Sequence, residues 1–140
     1  MESIKLHYDV PGDDFTLAGA ASGDVKRTLK QLGISPSVTR NVAVAMYEGE
    51  INMVIHAGGG EIDVEIDENK ISITLSDHGP GIENVELAMK EGYSTAPDNI
   101  RCLGFGAGMG LPNIKKYTDD FVIETEVGVG TTLRLKVNII

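Results

Sequence analysis

The sequence has few of the residues that stabilise small secreted domains or hold metal clusters. Its 140 residues include one cysteine, Cys102, and no tryptophan. A single cysteine excludes a disulfide within the chain and argues against a thiolate metal cluster. Stability must therefore come from an ordinary hydrophobic core. With 41% hydrophobic residues, the chain is long enough to build one.

Basic residues are also scarce. There are 12 Lys and Arg against 21 Asp and Glu, which gives a net charge of −9 and a pI near 4.7. A surface of this charge repels phosphate backbones, so we expect no nucleic-acid partner. An anionic nucleotide would need dedicated hydrogen-bond donors or a metal ion to bind here.

Long apolar runs are missing as well. No stretch reaches the length needed to span a membrane, and the first ten residues lack the basic start and apolar run of a signal peptide. Instead Ile4, Leu6, Tyr8 and Val10 alternate with polar residues, which predicts a strand. We therefore expect a cytoplasmic protein without a membrane partner.

The periodicity predicts one α+β domain over residues 1–140. Predicted strands cover 4–10, 61–66, 70–75, 121–126 and 131–137. Predicted helices cover 15–32, 36–56, 82–90 and 110–117. Runs of strands and helices in this order favour a two-layer sandwich, with helices on one face of a mixed or antiparallel sheet.

Residues 92–108 show no usable periodicity and are rich in Gly, Ser, Thr, Pro and Asn. A loop this long is uncommon inside a compact domain and is usually functional. We interpret it as a lid over a binding site.

The chain has 17 glycines, which raises the question of a phosphate-binding loop. No Gly-Lys-Ser or Gly-Lys-Thr occurs, so a P-loop is excluded. No Gly-x-Gly-x-x-Gly follows a strand and opens a helix, so a dinucleotide-binding fold is unsupported.

Three polar residues of the second helix share one face. Glu48, Asn52 and His56 are spaced by four and therefore stack along the helix. A carboxylate can accept a proton and a carboxamide oxygen can ligate a hard cation, so the row suits metal-ion and water chemistry. Taken alone, it is equally consistent with a solvated helix face.

Two glycine-rich stretches follow predicted strands or open predicted helices. Residues 77–81, Asp-His-Gly-Pro-Gly, end an apolar strand and could form the floor of a pocket for a base with an exocyclic amine; alone they are more typical of a simple turn. Residues 104–111 alternate glycine four times and run into a helix. Backbone N–H groups there favour an anion site over a flexible hinge.

The order and spacing of these stretches resemble the Bergerat-fold ATPases, which include the gyrase, heat-shock chaperone, histidine kinase and mismatch-repair types. Residues 48–56 look like the N box of that class, 77–81 like its first glycine box and 104–111 like its second. Residues 130–132 resemble the threonine motif before its last strand. The resemblance covers 36–137 and implies a sandwich with a mixed, mainly antiparallel sheet that holds ATP between helices and lid.

The resemblance also implies residue roles. Asn52 would ligate Mg²⁺, Glu48 would orient or deprotonate the attacking hydroxyl, and Asp77 would accept from the adenine amino group with help from Thr132 through water. The remaining implied nucleotide contacts are Gly79, Gly81, Ile82, Gly104, Gly106, Gly108, Met109, Gly110 and Leu111. His56 would have a minor, structural role. Independently of the family, Arg101 could reach the terminal phosphate or a partner, although a solvated charge is an equal alternative.

Within the class, the chain looks most similar to the bacterial anti-sigma-factor and stress-switch kinases. This implies a serine/threonine kinase that uses Mg-ATP to phosphorylate a small, anti-anti-sigma-like regulatory protein, with a sigma factor as a further candidate partner. It also implies a homodimer through residues 1–33. The alternatives are an ATP-gated protein that sequesters a partner with little or no turnover, and a stand-alone ATP hydrolase.

Overall fold

A computed structural model describes three parts of the chain, residues 3–12, 19–89 and 110–139. The predicted lid at 92–108 and the start of the first predicted helix lie outside the described residues.

The order of the elements agrees with the periodicity. The strands are β1 (Ile4–Pro11), β2 (Gly59–Ile66), β3 (Lys70–Ser76), β4 (Asp120–Glu126) and β5 (Gly130–Asn138). The helices are α1 (Ala20–Gln31), α2 (Pro36–Ala57), α3 (Val85–Ala88) and α4 (Gly110–Lys116).

The five strands form one sheet in the order β1-β2-β3-β5-β4. Neighbouring strands are antiparallel, with Ile62 opposite Leu75 and Ile73 opposite Leu135. The predicted α+β sandwich is confirmed. Of the two predicted kinds of sheet, mixed or antiparallel, the described pairings form the antiparallel one.

Alternation along the strands separates the two faces of the sheet. Apolar side chains on the inner face pack against the helices and form the core with them. The buried strand residues are Val10, Ile62, Val64, Ile66, Ile71, Ile73, Leu75, Leu133, Leu135 and Val137. The outer face carries charged cross-strand neighbours such as His7, whose Nδ1 lies 2.7 Å from Asp63 Oδ1.

Two predicted helices differ from the observed ones at their ends. The described part of α1 begins at Ala20 and ends at Gln31, and Leu32, the last residue of the predicted helix, is 45% exposed. Gly33 adopts φ +78° there and ends the helix. The helix predicted from residue 82 is shorter: α3 begins at Val85, and the Ile82 N–H donates to Thr125 Oγ1 (2.9 Å) of β4.

Helix α2 is the centre of the helical layer. Ser35 caps its start by accepting from the Val38 N–H (3.4 Å), and Pro36 occupies the first helical position, in agreement with the helix predicted from residue 36. The helix contacts α1, α4 and the sheet, so it is buried on several sides. Among the residues that the structure describes, no helix combines the length and apolarity needed to cross a bilayer.

Three consecutive residues of α2 point to its three neighbours, because successive side chains on a helix are about 100° apart. Glu48 faces the Asn113 side chain of α4. Gly49 lies against the sheet, where a Cβ would come within 2.7 Å of Leu75 Cδ2. Glu50 points to α1. Glycine at the middle position therefore sets how closely α2 approaches the sheet.

The Glu50 carboxylate caps α1 from the neighbouring helix. Its Oε2 accepts from the N–H groups of Gly19 (2.9 Å) and Ala21 (3.3 Å). Its Oε1 accepts from the N–H (3.0 Å) and hydroxyl (2.8 Å) of Ser22. The residue is 1% exposed, and α1 has no side-chain cap of its own at Gly19. A negative charge at a helix N-terminus satisfies otherwise unpaired donors and the helix dipole together.

We expect Glu50→Ala to lower the free energy of unfolding by about 3–5 kcal/mol, because it leaves several buried donors without an acceptor. Glu50→Gln keeps one acceptor oxygen and should cost less. Urea unfolding followed by circular dichroism measures both. The matched control is Glu65→Ala on the exposed outer face, where a change within about 0.5 kcal/mol is expected. Equal losses for Glu50→Ala and Glu65→Ala would contradict the capping role.

Candidate functional site

The candidate site lies along the second half of α2 and the connection that follows β3. Glu48 and Asn52 are one helical turn apart, and both side chains are half-buried. The Asn52 side chain makes no hydrogen bond to another described residue. A half-buried carboxamide without such a partner fits a position that a cation or ligand completes.

The environment of Glu48 suits a general base. Burial raises the pKa of its carboxyl above the usual value, and the hydrogen bond from the Asn113 side chain partly offsets this. A base with a raised pKa is a better proton acceptor, provided that it stays ionised at the working pH. Sequence reasoning missed Asn113, whose only signal is its place one turn into the helix that follows the second glycine stretch.

Asp77 is held by backbone groups at the junction of β3 and β5. Its Oδ1 accepts from the N–H groups of Gly79 (3.0 Å) and Thr131 (3.1 Å). Its own N–H donates to the Thr131 carbonyl (2.9 Å). Within the described residues Oδ2 accepts no hydrogen bond. One oxygen is therefore fixed and the other remains available to a donor.

The glycines after Asp77 are required by close contacts. A Cβ on Gly79 would lie 2.6 Å from Ala57 Cα, so the turn rests directly on the last turn of α2. Gly81 has φ +80°, and its Cβ would lie 2.6 Å from the Glu126 carbonyl oxygen. The half-buried Ile82 follows. Glycine thus brings the predicted pocket floor against both α2 and the β4–β5 hairpin.

The structure corrects the predicted role of Thr132. Thr132 lies opposite Ser76 in the β3–β5 register and shares the outer sheet face with Arg134. Thr131 is buried on the inner face beside Asp77, and its Oγ1 is 2.9 Å from Thr125 Oγ1. Because side chains alternate along a strand, the threonine at the candidate site is Thr131.

Several predicted residues lie outside the described part of the chain, and their positions stay predictions. These are Arg101, Gly104, Gly106, Gly108 and Met109. Of the same stretch, Gly110 begins α4 and Leu111 is buried in the core. Burial lowers the pKa of His56, so a neutral ring at pH 7 is consistent with its predicted structural role.

A second group of potential metal ligands lies away from this site. Ligand atoms of His7, Asp9 and Glu61 come within 4.8 Å of one another. All three are exposed on the outer face of the sheet, and His7 already contacts Asp9 and Asp63. These contacts are ordinary cross-strand and same-strand pairs on a polar sheet face.

Comparison with known proteins agrees with this arrangement. A sequence model of the histidine kinase-like ATPase domain matches residues 14–137. The chain belongs to the histidine-kinase-like ATPase family.

Two curated relatives and one solved structure illustrate the family. The serine/threonine-protein kinase RsbT of Bacillus subtilis is 30% identical over 113 residues, covering 78% of this chain and 79% of that protein. An anti-sigma F factor of Clostridium beijerinckii is 32% identical over 102 residues, covering 69% and 68%. The solved RsbU and RsbW domains of Rv1364c from Mycobacterium tuberculosis match with a TM-score of 0.65 and 15% identity, over 96% of this chain and 32% of that one. The chain thus spans about a third of that solved chain, and the likeness concerns the fold.

The raised pKa of Glu48 predicts a stability effect with a defined sign. The folded state binds the Glu48 proton more tightly than the unfolded state, so the wild type loses stability as pH rises from below the ordinary carboxyl pKa through the raised value. Glu48→Gln carries no charge at any pH and should have the higher Tm at neutral pH. The difference should vanish in acid, as measured by calorimetry across pH. Glu65→Gln on the exposed face is the control, and an equal gain there would refute burial as the cause.

The two neighbouring threonines form a matched test of the site. Thr131→Val removes a hydroxyl that contacts Thr125, whose own hydroxyl anchors Ile82. We expect about tenfold weaker binding of Mg-ATP, because the change removes about one hydrogen bond from the site. Thr132→Val changes the outer face and should leave the affinity within about twofold. Isothermal titration calorimetry compares them, and the reverse ranking would restore the original assignment to Thr132.

Proposed function

We propose that this chain is a serine/threonine protein kinase that transfers the γ-phosphate of Mg-ATP to a small regulatory partner protein. The observation that carries the proposal is the contrast between two glutamates of α2. Glu50 is saturated by donors, whereas Glu48, two residues before it, is half-buried and has the Asn113 side chain as its described hydrogen-bond donor. The second environment suits a proton acceptor.

The described residues fit an adenine nucleotide with a magnesium ion. The carboxamide oxygen of Asn52 suits a hard cation, and no described residue occupies it. The available Oδ2 of Asp77 suits an exocyclic amine, because a carboxylate accepts hydrogen bonds and cannot donate them when ionised. Asn52 would hold the magnesium ion, which would supply positive charge to offset that of the phosphates in a chain of net charge −9.

The chemistry asks the protein mainly to position groups. Phosphoryl transfer depends on alignment and charge neutralisation more than on covalent steps by side chains. In this proposal Asp77 and Thr131 hold the adenine ring and Asn52 holds the metal. Glu48 accepts the proton of the attacking serine or threonine hydroxyl. The predicted phosphate contacts between 104 and 110, and the proposed lid, would complete the site.

The names of the relatives support this assignment. One is called a serine/threonine-protein kinase and others are called anti-sigma F factors. The second name also favours the alternative function, an ATP-gated protein that binds a transcription partner. Both activities can reside in one site if phosphorylation of one partner controls binding of another.

Transfer of labelled γ-phosphate from ATP to small regulatory proteins that co-purify with the chain tests the proposal. Wild type should label such a partner on serine or threonine. Glu48→Gln should lower kcat by about 100-fold or more, the usual loss of a general base, while it still binds Mg-ATP. Asp77→Asn should instead weaken ATP binding. Nucleotide-dependent capture of a partner without any transfer would favour the binding function, and equal transfer by Glu48→Gln would remove Glu48 from its role.

A further inference from the structure

A groove lies between the end of α1 and the start of α2, remote from the nucleotide site. It has a volume of about 290 Å³ and is lined by Lys26, Lys30, Ile34, Pro36, Thr39 and Arg40. Pro36 begins α2, and Glu48 follows twelve residues later, which corresponds to roughly 18 Å along the helix axis. The groove therefore cannot take part directly in chemistry at Glu48.

Three cationic side chains line this groove, although the chain as a whole is strongly acidic. Lys26, Lys30 and Arg40 are exposed and form no ion pair with a described residue. Lys26 and Lys30 are one turn apart on α1, an arrangement of like charges that slightly destabilises a helix. The nearby Asp24 does not compensate them, since it pairs with Arg27 (3.0 Å) and Tyr8 (2.6 Å).

The floor of the groove is apolar, and the Thr39 hydroxyl in it already donates a hydrogen bond within the protein. Ile34 and Pro36 contribute apolar surface. Thr39 is buried, and its hydroxyl donates to the Ile34 carbonyl (3.4 Å). A small inorganic anion is best held by several converging backbone donors, which this floor does not offer. Flexible cations around an apolar floor fit a carboxylate side chain next to an apolar one.

We propose that this groove docks an acidic, partly apolar segment of the partner protein. The inference rests on the proposed function, in that the partner is the protein to be phosphorylated, and it adds a recognition site distinct from the site of transfer. The net charge of −9 repels acidic proteins from most of the surface, so a local basic groove selects both the partner and its orientation.

Binding of a labelled peptide built from glutamate and leucine tests the groove without nucleotide or partner. The groove variant is Lys30→Glu with Arg40→Glu. The control is Lys5→Glu with Lys136→Glu, which makes the same change of charge on the exposed outer face of the sheet. We expect about tenfold weaker peptide binding by the groove variant than by the control. Thermal shifts with Mg-ATP should be the same in both variants.

Three results would overturn the proposal. Equal weakening in both variants would indicate a general charge effect. Equal binding of a peptide with glutamine in place of glutamate would show that carboxylates are not recognised. Displacement of the peptide by low concentrations of inorganic phosphate or sulfate would indicate a small-anion site.

Kinetics with a partner protein as the phosphate acceptor separate this proposal from the kinase assignment. If both are right, the groove variant raises KM for the partner and leaves kcat and ATP binding unchanged. If wild type transfers phosphate and the groove variant has an unaltered KM, the docking proposal fails alone. If wild type transfers no phosphate, the kinase assignment fails. The peptide-binding measurement then still tests whether the groove binds acidic segments.

Discussion

The buried carboxylate of Glu50 is the contact on which the helical layer depends. By accepting four hydrogen bonds from residues 19–22, it joins the start of α1 to the middle of α2. That contact fixes α1 beside α2 and so brings Lys26 and Lys30 next to Arg40. Gly49 seats the same helix on the sheet, and Glu48 reaches α4. Three adjacent residues of α2, Glu48, Gly49 and Glu50, thus contact α4, the sheet and α1 respectively.

The two glutamates of this segment show how environment separates a structural from a reactive carboxylate. Both are withdrawn from water to some degree, which disfavours charge. Glu50 recovers the lost hydration through four hydrogen-bond donors at the start of α1, which suits a structural role. Among the described residues Glu48 has the Asn113 side chain as its partner, and burial raises the pKa of its carboxyl. An environment that disfavours the charged form of a side chain is common where that group must exchange a proton.

Local signals in the sequence predicted the helices and strands well. The wrong or missed predictions concern residues whose positions depend on contacts between distant parts of the chain. Strand alternation, the helix start at residue 36 and the break between the last two strands depend on neighbouring residues and were visible in the sequence. The exchange of Thr131 for Thr132 arose because a repeated threonine hides the register, although the buried Leu133 indicates which parity faces the core. Glu50 escaped notice because its hydrogen-bond donors belong to another helix, so nothing near it in the sequence indicates its burial. The contact between Glu48 and Asn113 joins two helices, so no local sequence pattern encodes it.

The orientation of Asp77 depends on peptide groups at Gly79 and Thr131 and on no other side chain among the described residues. Every non-proline amino acid supplies the same N–H, so most substitutions at position 131 leave the geometry of this carboxylate intact. The residues around this turn can therefore vary extensively while the proposed acceptor for the adenine amino group keeps its orientation. A change that moves the backbone of this turn, such as an added side chain at Gly79, would alter the orientation of Asp77.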